Sequence, residues 1–165
     1  MTPAAPTLVI GLGNTLRGDD ALGRLAAAKL RQAIDTEWVR VIDQMAPTPE
    51  LAAEIAQASL VVFLDASIDG PENEVVTRSV APDSAVATSA HQLTPANLVQ
   101  LAEQLYGRAP DAYAITFRAR SLDFSDNRLT PAAQQGCESV VSEALALLER
   151  HTRGCLKRLE GNAHA

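Results

Sequence analysis

The run Leu60-Val61-Val62-Phe63-Leu64, which is followed directly by Asp65, restricts the fold of this chain more than any other segment. A strand that is apolar on both faces must be covered on both faces, as the central strands of parallel sheets are. Residues 7–10 and 39–42 form similar runs, and residues 112–117 form a further strand candidate. The sequence therefore predicts a sheet that is buried between two layers.

Segments with helical periodicity separate these runs. Apolar residues recur on one face in residues 22–34, 51–55, 98–105 and 137–148. The alternation predicts an α/β fold: a doubly wound three-layer α/β/α sandwich with right-handed crossovers and a mostly parallel sheet of about five strands. The less apolar residues 74–80 follow an Asp-Gly-Pro turn and predict an edge strand, which can run antiparallel to the others.

Composition limits the class of protein. A length of 165 residues fits one domain, with an expected core at about 7–150 and loosely held ends at 1–6 and 152–165. The net charge of −6, without a basic block, argues against nucleic acid as a partner. We expect no membrane span, no signal peptide and, from the unpatterned Cys137 and Cys155, a reducing cytoplasmic location. The chain is expected to be a monomer.

The first turn reads Gly11-Leu12-Gly13-Asn14-Thr15-Leu16-Arg17-Gly18-Asp19-Asp20. Its Gly-x-Gly suggests a dinucleotide site, but Leu16 stands where the third glycine of that fingerprint belongs. Two acidic residues then open the helix, where a pyrophosphate would need positive potential. Nucleotide binding is therefore disfavoured, and the simplest interpretation is that Asp19 caps the helix while Asp20 complements its dipole.

Three side chains are candidates for a functional site. If the strand order is 2-1-3, Asp20 and Asp65 face one crevice at the carboxyl ends of neighbouring strands, and His91 enters from a following connection. Two carboxylates and one imidazole would suit a divalent transition metal. The structural alternatives stay open: Asp65 as a turn or N-cap aspartate, and His91 as an ordinary loop histidine before a helix that Thr94 caps.

The remaining reactive side chains lack such a setting. His151 and His164 are expected to be solvated, and Cys137 is expected to be a buried thiol on an apolar helix face.

With these residues in hand, the chain resembles the [NiFe]-hydrogenase maturation endopeptidases over about residues 7–150. The opening motif Gly11-Leu12-Gly13-Asn14-Thr15-Leu16-Arg17-Gly18-Asp19-Asp20-Ala21-Leu22-Gly23 carries most of the resemblance, and Asp65-Ala66, His91-Gln92-Leu93 and Leu129-Thr130-Pro131 add to it. Two departures are Ala21, where the family often has glycine, and Gln44 with Thr48-Pro49-Glu50-Leu51. The second resembles the branch that serves soluble bidirectional NAD-linked hydrogenases.

The resemblance implies an endopeptidase that removes the C-terminal extension of the nickel-loaded hydrogenase large-subunit precursor. It places the catalytic and metal-contacting positions on Asp20, Asp65 and His91. The expected metal is nickel, that of the substrate, although zinc or cadmium is able to occupy the same ligands. The expected partner is the large-subunit precursor.

Two mechanisms and two rival functions remain open from the sequence. A metal can polarise the scissile carbonyl or activate water, or the two aspartates can act as general base and acid. The rival functions are a metal- or nickel-sensing module that cleaves no bond and another small α/β hydrolase.

Overall fold

The computed structural model describes residues 6–34, 37–83, 93–124 and 128–162, with side chains as far as residue 153. Its strands are β1 (Thr7–Leu12), β2 (Val39–Gln44), β3 (Leu60–Ser67), β4 (Val75–Ser79) and β5 (Asp111–Arg118). Its helices are α1 (Leu22–Ala33), α2 (Leu51–Gln57), α3 (Pro95–Tyr106) and α4 (Pro131–Asn162). A 3-10 turn at Gly18–Ala21, here called the acidic turn, precedes α1.

The five strands form one sheet in the order β2-β1-β3-β5-β4. Strands β2, β1, β3 and β5 are parallel, and β4 runs antiparallel to β5 at the edge. The connection between β3 and β4, residues 68–74, is shorter than the dozen or so residues that a parallel crossover requires. The doubly wound fold, the 2-1-3 strand order and the edge strand are therefore confirmed.

Helices cover both faces of the sheet and create two apolar cores. One core joins α1 and α4 to side chains such as Val62 and Leu64. The other joins α2 and α3 to Val61 and Phe63 on the opposite face of β3. Successive residues of β3 thus enter different cores, which explains why its sequence is apolar without alternation.

Helix α1 begins in close contact with the carboxyl ends of the two central strands. A Cβ atom at Gly23 would lie 2.2 Å from the carbonyl oxygen of Leu64 and 2.3 Å from that of Leu12. Because these atoms belong to the backbone of β3 and β1, they cannot move away as a flexible side chain could. Glycine therefore allows α1, and the acidic turn before it, to sit directly above β1 and β3.

Two elements extend further than the sequence pattern indicates. Strand β3 continues past Asp65 to Ser67, because β5 supplies pairing partners as far as Arg118. Helix α4 continues to Asn162, past residue 150 where the predicted core ends. None of the helices within the described ranges combines the length and apolarity needed to cross a membrane.

Candidate active site at the carboxyl edge of the sheet

The chain leaves β1 through a backbone conformation that glycine favours. Gly13 has φ +144°, and a Cβ atom there would lie 1.8 Å from the carbonyl oxygen of Asp20. The loop is thus folded tightly onto the acidic turn, which itself packs against β3. This arrangement brings residues that follow β1 to the end of the neighbouring strand β3, at the switch point where open α/β sheets bind ligands.

The carboxylate of Asp20 is held by the loop that precedes it. Its Oδ2 accepts a hydrogen bond of 2.9 Å from the backbone N–H of Asn14. The side chain of Asn14 is fixed as well, because its Oδ1 accepts a hydrogen bond of 2.9 Å from the backbone N–H of Leu16. Asp20 is half-buried, so its carboxylate has a defined direction and stays accessible.

Asp65 is the second carboxylate of the site. It lies within β3, opposite Thr116 of β5, and is half-buried. Burial raises the pKa of Asp65 to about 7, the hydrogen bond from the Ala66 backbone lowers it in part, and the nearby charge of Asp20 raises it further. Since the acidic turn packs against β3 and the charge of Asp20 acts on Asp65, we infer that the two carboxylates face one crevice. Because Asp65 pairs within the strand, the alternative of a turn or N-cap aspartate is wrong.

The third predicted residue, His91, lies outside the described residues. The structure describes the helix that follows: the Thr94 hydroxyl accepts from the Asn97 backbone N–H at 3.1 Å, and the Asn97 side chain accepts from the Thr94 N–H at 3.1 Å. Thr94 thus caps α3, as its sequence indicates.

Asp20 and Asp65 offer two carboxylate groups as oxygen ligands, and within the described ranges no three His, Cys, Asp or Glu side chains form a group that could hold a metal ion.

Asp19 does not cap α1, contrary to the simplest interpretation of the sequence. The acidic turn separates it from the helix, and its side chain makes no capping hydrogen bond. Instead it is fully buried and accepts hydrogen bonds from the backbone N–H groups of Arg120 (2.7 Å), Ser121 (3.2 Å) and Thr130 (2.7 Å) and from the Thr130 hydroxyl (2.9 Å). The motif Leu129-Thr130-Pro131 was the signal in the sequence that could have identified this role.

Two predictions for residues outside the site have different outcomes. The expectation that His151 is solvated is wrong, because its ring is half-buried and its Nε2 lies 3.2 Å from the hydroxyl of Ser59. Cys137 is buried as expected. His164 and the side chain of Cys155 lie outside what the structure describes.

The fold and the site together define a class: a doubly wound α/β protein with two interacting carboxylates above its central strands. Solved structures make the class specific. The chain is similar to the hydrogenase maturating endopeptidase HybD from E. coli, with 25% identity, a TM-score of 0.73, and coverage of 88% of this chain and 93% of that one.

Two further solved structures support the same assignment of fold. The [NiFe] hydrogenase maturation protease HycI from Thermococcus kodakarensis KOD1 has 23% identity and a TM-score of 0.70, covering 90% of this chain and 95% of that one. A hydrogenase 2 maturation peptidase from Thaumarchaeota archaeon SCGC_AB-539-E09 has 21% identity and a TM-score of 0.65, covering 87% and 97%. No protein-family profile matches the chain, and no curated protein matches it significantly. The chain has the fold of the hydrogenase maturation proteases, so the resemblance is confirmed.

Proposed function

We propose that this chain is a hydrogenase maturation endopeptidase, a hydrolase that removes the C-terminal extension of a [NiFe]-hydrogenase large-subunit precursor. The observation that carries the proposal is the packing of the acidic turn, which contains Asp20, against β3, which contains Asp65, in a fold shared with HybD over 88% of the chain. A pair of carboxylates in unlike environments is suited to general acid–base chemistry on a peptide bond.

The two aspartates have different tasks in this proposal. The Asp20 carboxylate, held by the Asn14 N–H, binds or orients the reacting group. With a pKa of about 7, Asp65 can accept or donate a proton near neutral pH. The donor set also fits a divalent cation, because a cation between two carboxylates relieves their repulsion and the His91 imidazole can add a nitrogen ligand. Such a cation supplies Lewis-acid polarisation of a carbonyl.

We assign nickel to the substrate, as part of the loaded precursor, with zinc or cadmium as other ions that these ligands can accept. The precursor's metal would then reach Asp20, Asp65 and His91 only when the large subunit docks.

Exposed apolar side chains around the crevice support a protein substrate. Leu16, Met45, Ile68 and Phe124, here called the apolar rim, are 45%, 59%, 80% and 85% exposed. They follow β1, β2, β3 and β5 respectively, and because these strands are parallel, all four lie at the edge of the sheet that carries Asp20 and Asp65. Exposed apolar groups around a polar crevice are typical of protein interaction sites.

We also propose that the segment after β2 selects the large subunit that is processed. The Gln44 side chain donates to the Ala46 carbonyl at 2.7 Å and to the Thr48 hydroxyl at 3.4 Å, so it holds the connection to α2 in a defined shape. This connection borders the crevice at the carboxyl end of β2 and contains Met45 of the apolar rim. Its similarity to the branch for bidirectional NAD-linked hydrogenases makes a large subunit of that type the preferred substrate.

The decisive experiment incubates the purified chain with nickel-loaded precursor and with the same precursor lacking nickel. We expect the large subunit to shorten only when it is loaded, and not to shorten with Asp65→Asn or Asp20→Asn. Nickel-dependent binding without a change in size would favour a sensing module. Cleavage of unrelated peptides, with no action on the precursor, would favour another hydrolase.

A further inference from the structure

Asp19 is a buried carboxylate to which the proposed chemistry assigns no task. Its side chain is 0% exposed, and its four hydrogen bonds come from neutral donors. Placing a charge inside a protein is costly unless the surrounding dipoles are arranged to solvate it. A side chain that is so costly and so fully coordinated is expected to hold a particular geometry in place.

The hydrogen bonds join the acidic turn to two segments that are about a hundred residues further along the chain. Arg120 and Ser121 follow β5, and Thr130 precedes α4, whereas Asp19 lies in the acidic turn. The backbone is joined as well, since the Asp19 N–H donates to the Ser121 carbonyl at 2.9 Å. Asp19 therefore fixes the acidic turn against both ends of the connection between β5 and α4.

Thr130 links this network to the start of α4. Its hydroxyl donates to Oδ2 of Asp19 and accepts from the backbone N–H of Ala133 at 3.3 Å, as an N-cap residue does. The hydroxyl thus acts as a donor and as an acceptor at the same time. A valine at position 130 would keep the shape of the side chain and remove both interactions.

Asp20 is the neighbour of Asp19 in the same turn, so the backbone that Asp19 anchors also sets where the Asp20 carboxylate lies. Among the described residues, that carboxylate accepts a hydrogen bond from the N–H of Asn14, which fixes it from the β1 side of the turn, whereas Asp19 fixes the turn from the β5 and α4 side. We propose that Asp19 is a positioning residue, which acts through the acidic turn to hold Asp20 against Asp65. The expected effect of Asp19 on catalysis rests on the proposed function. Its effect on the position of Asp20 does not.

The test uses the full chain with Thr130→Val, Asp19→Asn and Thr130→Ser. Asp19→Asn keeps one oxygen acceptor and replaces the other with an NH2 group, which then faces a buried backbone N–H. Thr130→Ser keeps the hydroxyl and therefore both of its hydrogen bonds. Val140→Ala is the stability control, because Val140 is fully buried on α4 and lies ten residues beyond Thr130. The geometric readout is the backbone amide of Asn14, followed by NMR chemical shift and hydrogen exchange, with Asp20→Ala defining the signal when the hydrogen bond is absent.

We expect Thr130→Val and Asp19→Asn to move the Asn14 amide toward its position in Asp20→Ala and to speed its exchange at least tenfold. Processing of the precursor should lose at least tenfold in kcat with KM within twofold, and Thr130→Ser should restore both readouts. Val140→Ala should lower the melting temperature and leave the amide unchanged. If Asp19→Asn fails to fold, the Asn14 amide and the kcat value of Thr130→Val decide whether Asp19 positions Asp20.

The proposal is overturned if the Asn14 amide stays in place while stability falls as in Val140→Ala, or if the amide moves and kcat does not change. If the amide moves and the wild-type chain does not process the precursor, the geometric role of Asp19 stands and the proposed protease function fails. The two ideas can therefore fail separately.

Discussion

At the scale of single residues, the folded chain disfavours the charged form of Asp65. Burial raises the pKa of its carboxyl group from about 3.8 to about 7. Between these values the folded chain binds a proton that the unfolded chain has released. The free energy of unfolding therefore falls as pH rises through this window and is lowest above pH 7. At about 1.4 kcal/mol per pKa unit, the loss is at most about 4 to 5 kcal/mol.

The expected consequence is that Asp65→Asn stabilises the chain in a pH-dependent manner. The variant should melt several degrees higher than the wild type at pH 8 in the presence of a chelator, and the difference should vanish near pH 4. Thermal unfolding followed by circular dichroism at each pH provides the measurement. Asp69→Asn, a change at an exposed aspartate in the connection after β3, is the matched control. A rise in melting temperature that is equal at pH 5 and pH 8 would show that the protonation of Asp65 does not control the stability difference.

A second residue-scale prediction concerns Cys137, which is 1% exposed on α4. Burial raises the pKa of its thiol to about 11, so almost no thiolate is present at pH 8. In a Cys155→Ser background, a thiol reagent should leave the native chain unmodified over hours and modify one thiol after denaturation. Rapid modification of the native chain at Cys137 would show that α4 opens more easily than its packing indicates.

At the scale of elements, the site depends on how closely α1 approaches the central strands. Gly23→Ala would place a methyl group within 2.3 Å of backbone oxygens on both β1 and β3. Because the strands cannot yield, α1 and the acidic turn must shift, at a cost of about 3 kcal/mol or more. We expect a lower melting temperature and at least a hundredfold loss of precursor processing, measured well below that temperature.

Gly136→Ala is the matched control for this prediction. Its added methyl group would meet the ring of Phe117 at 2.6 Å, so it also destabilises the fold, but the atoms that it meets belong to a side chain and not to the strand backbone beneath α1. Its activity at low temperature should stay within a few-fold of the wild type. Equal losses of activity in the two variants would mean that general destabilisation, rather than the position of α1, explains the effect.

The elements were predictable because their signals are local. Strands that are apolar on both faces and helices with one apolar face were identified from the sequence, whereas the 2-1-3 order, observed as β2-β1-β3, entered only as a condition for the candidate site. The continuation of β3 beyond Asp65 was not predictable, because its cause is pairing with β5, far along the chain. The role of Asp19 was missed for the same reason: its partners are 101, 102 and 111 residues away. The assignment of Asp20 and Asp65 to one site follows from the strand order, and this assignment and the role of His91 stay predictions.

At the scale of the whole molecule, the two ends of the parallel strands present different groups. The carboxyl edge carries the acidic crevice and the apolar rim, whereas Trp38 and Leu105 lie toward the opposite edge, before β2 and before β5. Trp38 is 56% exposed and Leu105 is 63% exposed, so apolar exposure alone does not distinguish the two edges. The distinction is that the apolar rim follows the strand ends that also carry Asp20 and Asp65, and we propose on this ground that the precursor docks on the rim.

The double variant Ile68→Ser/Phe124→Ser tests this docking role. Buried apolar anchors at protein interfaces are each worth about 1–2 kcal/mol, so the loss of two should raise KM for the loaded precursor by about thirtyfold to several hundredfold. The kcat value should stay within twofold, because neither side chain belongs to the acidic crevice. Trp38→Ser/Leu105→Ser, a matched loss of exposed apolar surface at the opposite edge, should leave both constants unchanged. Steady-state processing of the precursor measures all three chains, and an equal rise of KM in the two double variants would show that the apolar rim has no special part in docking.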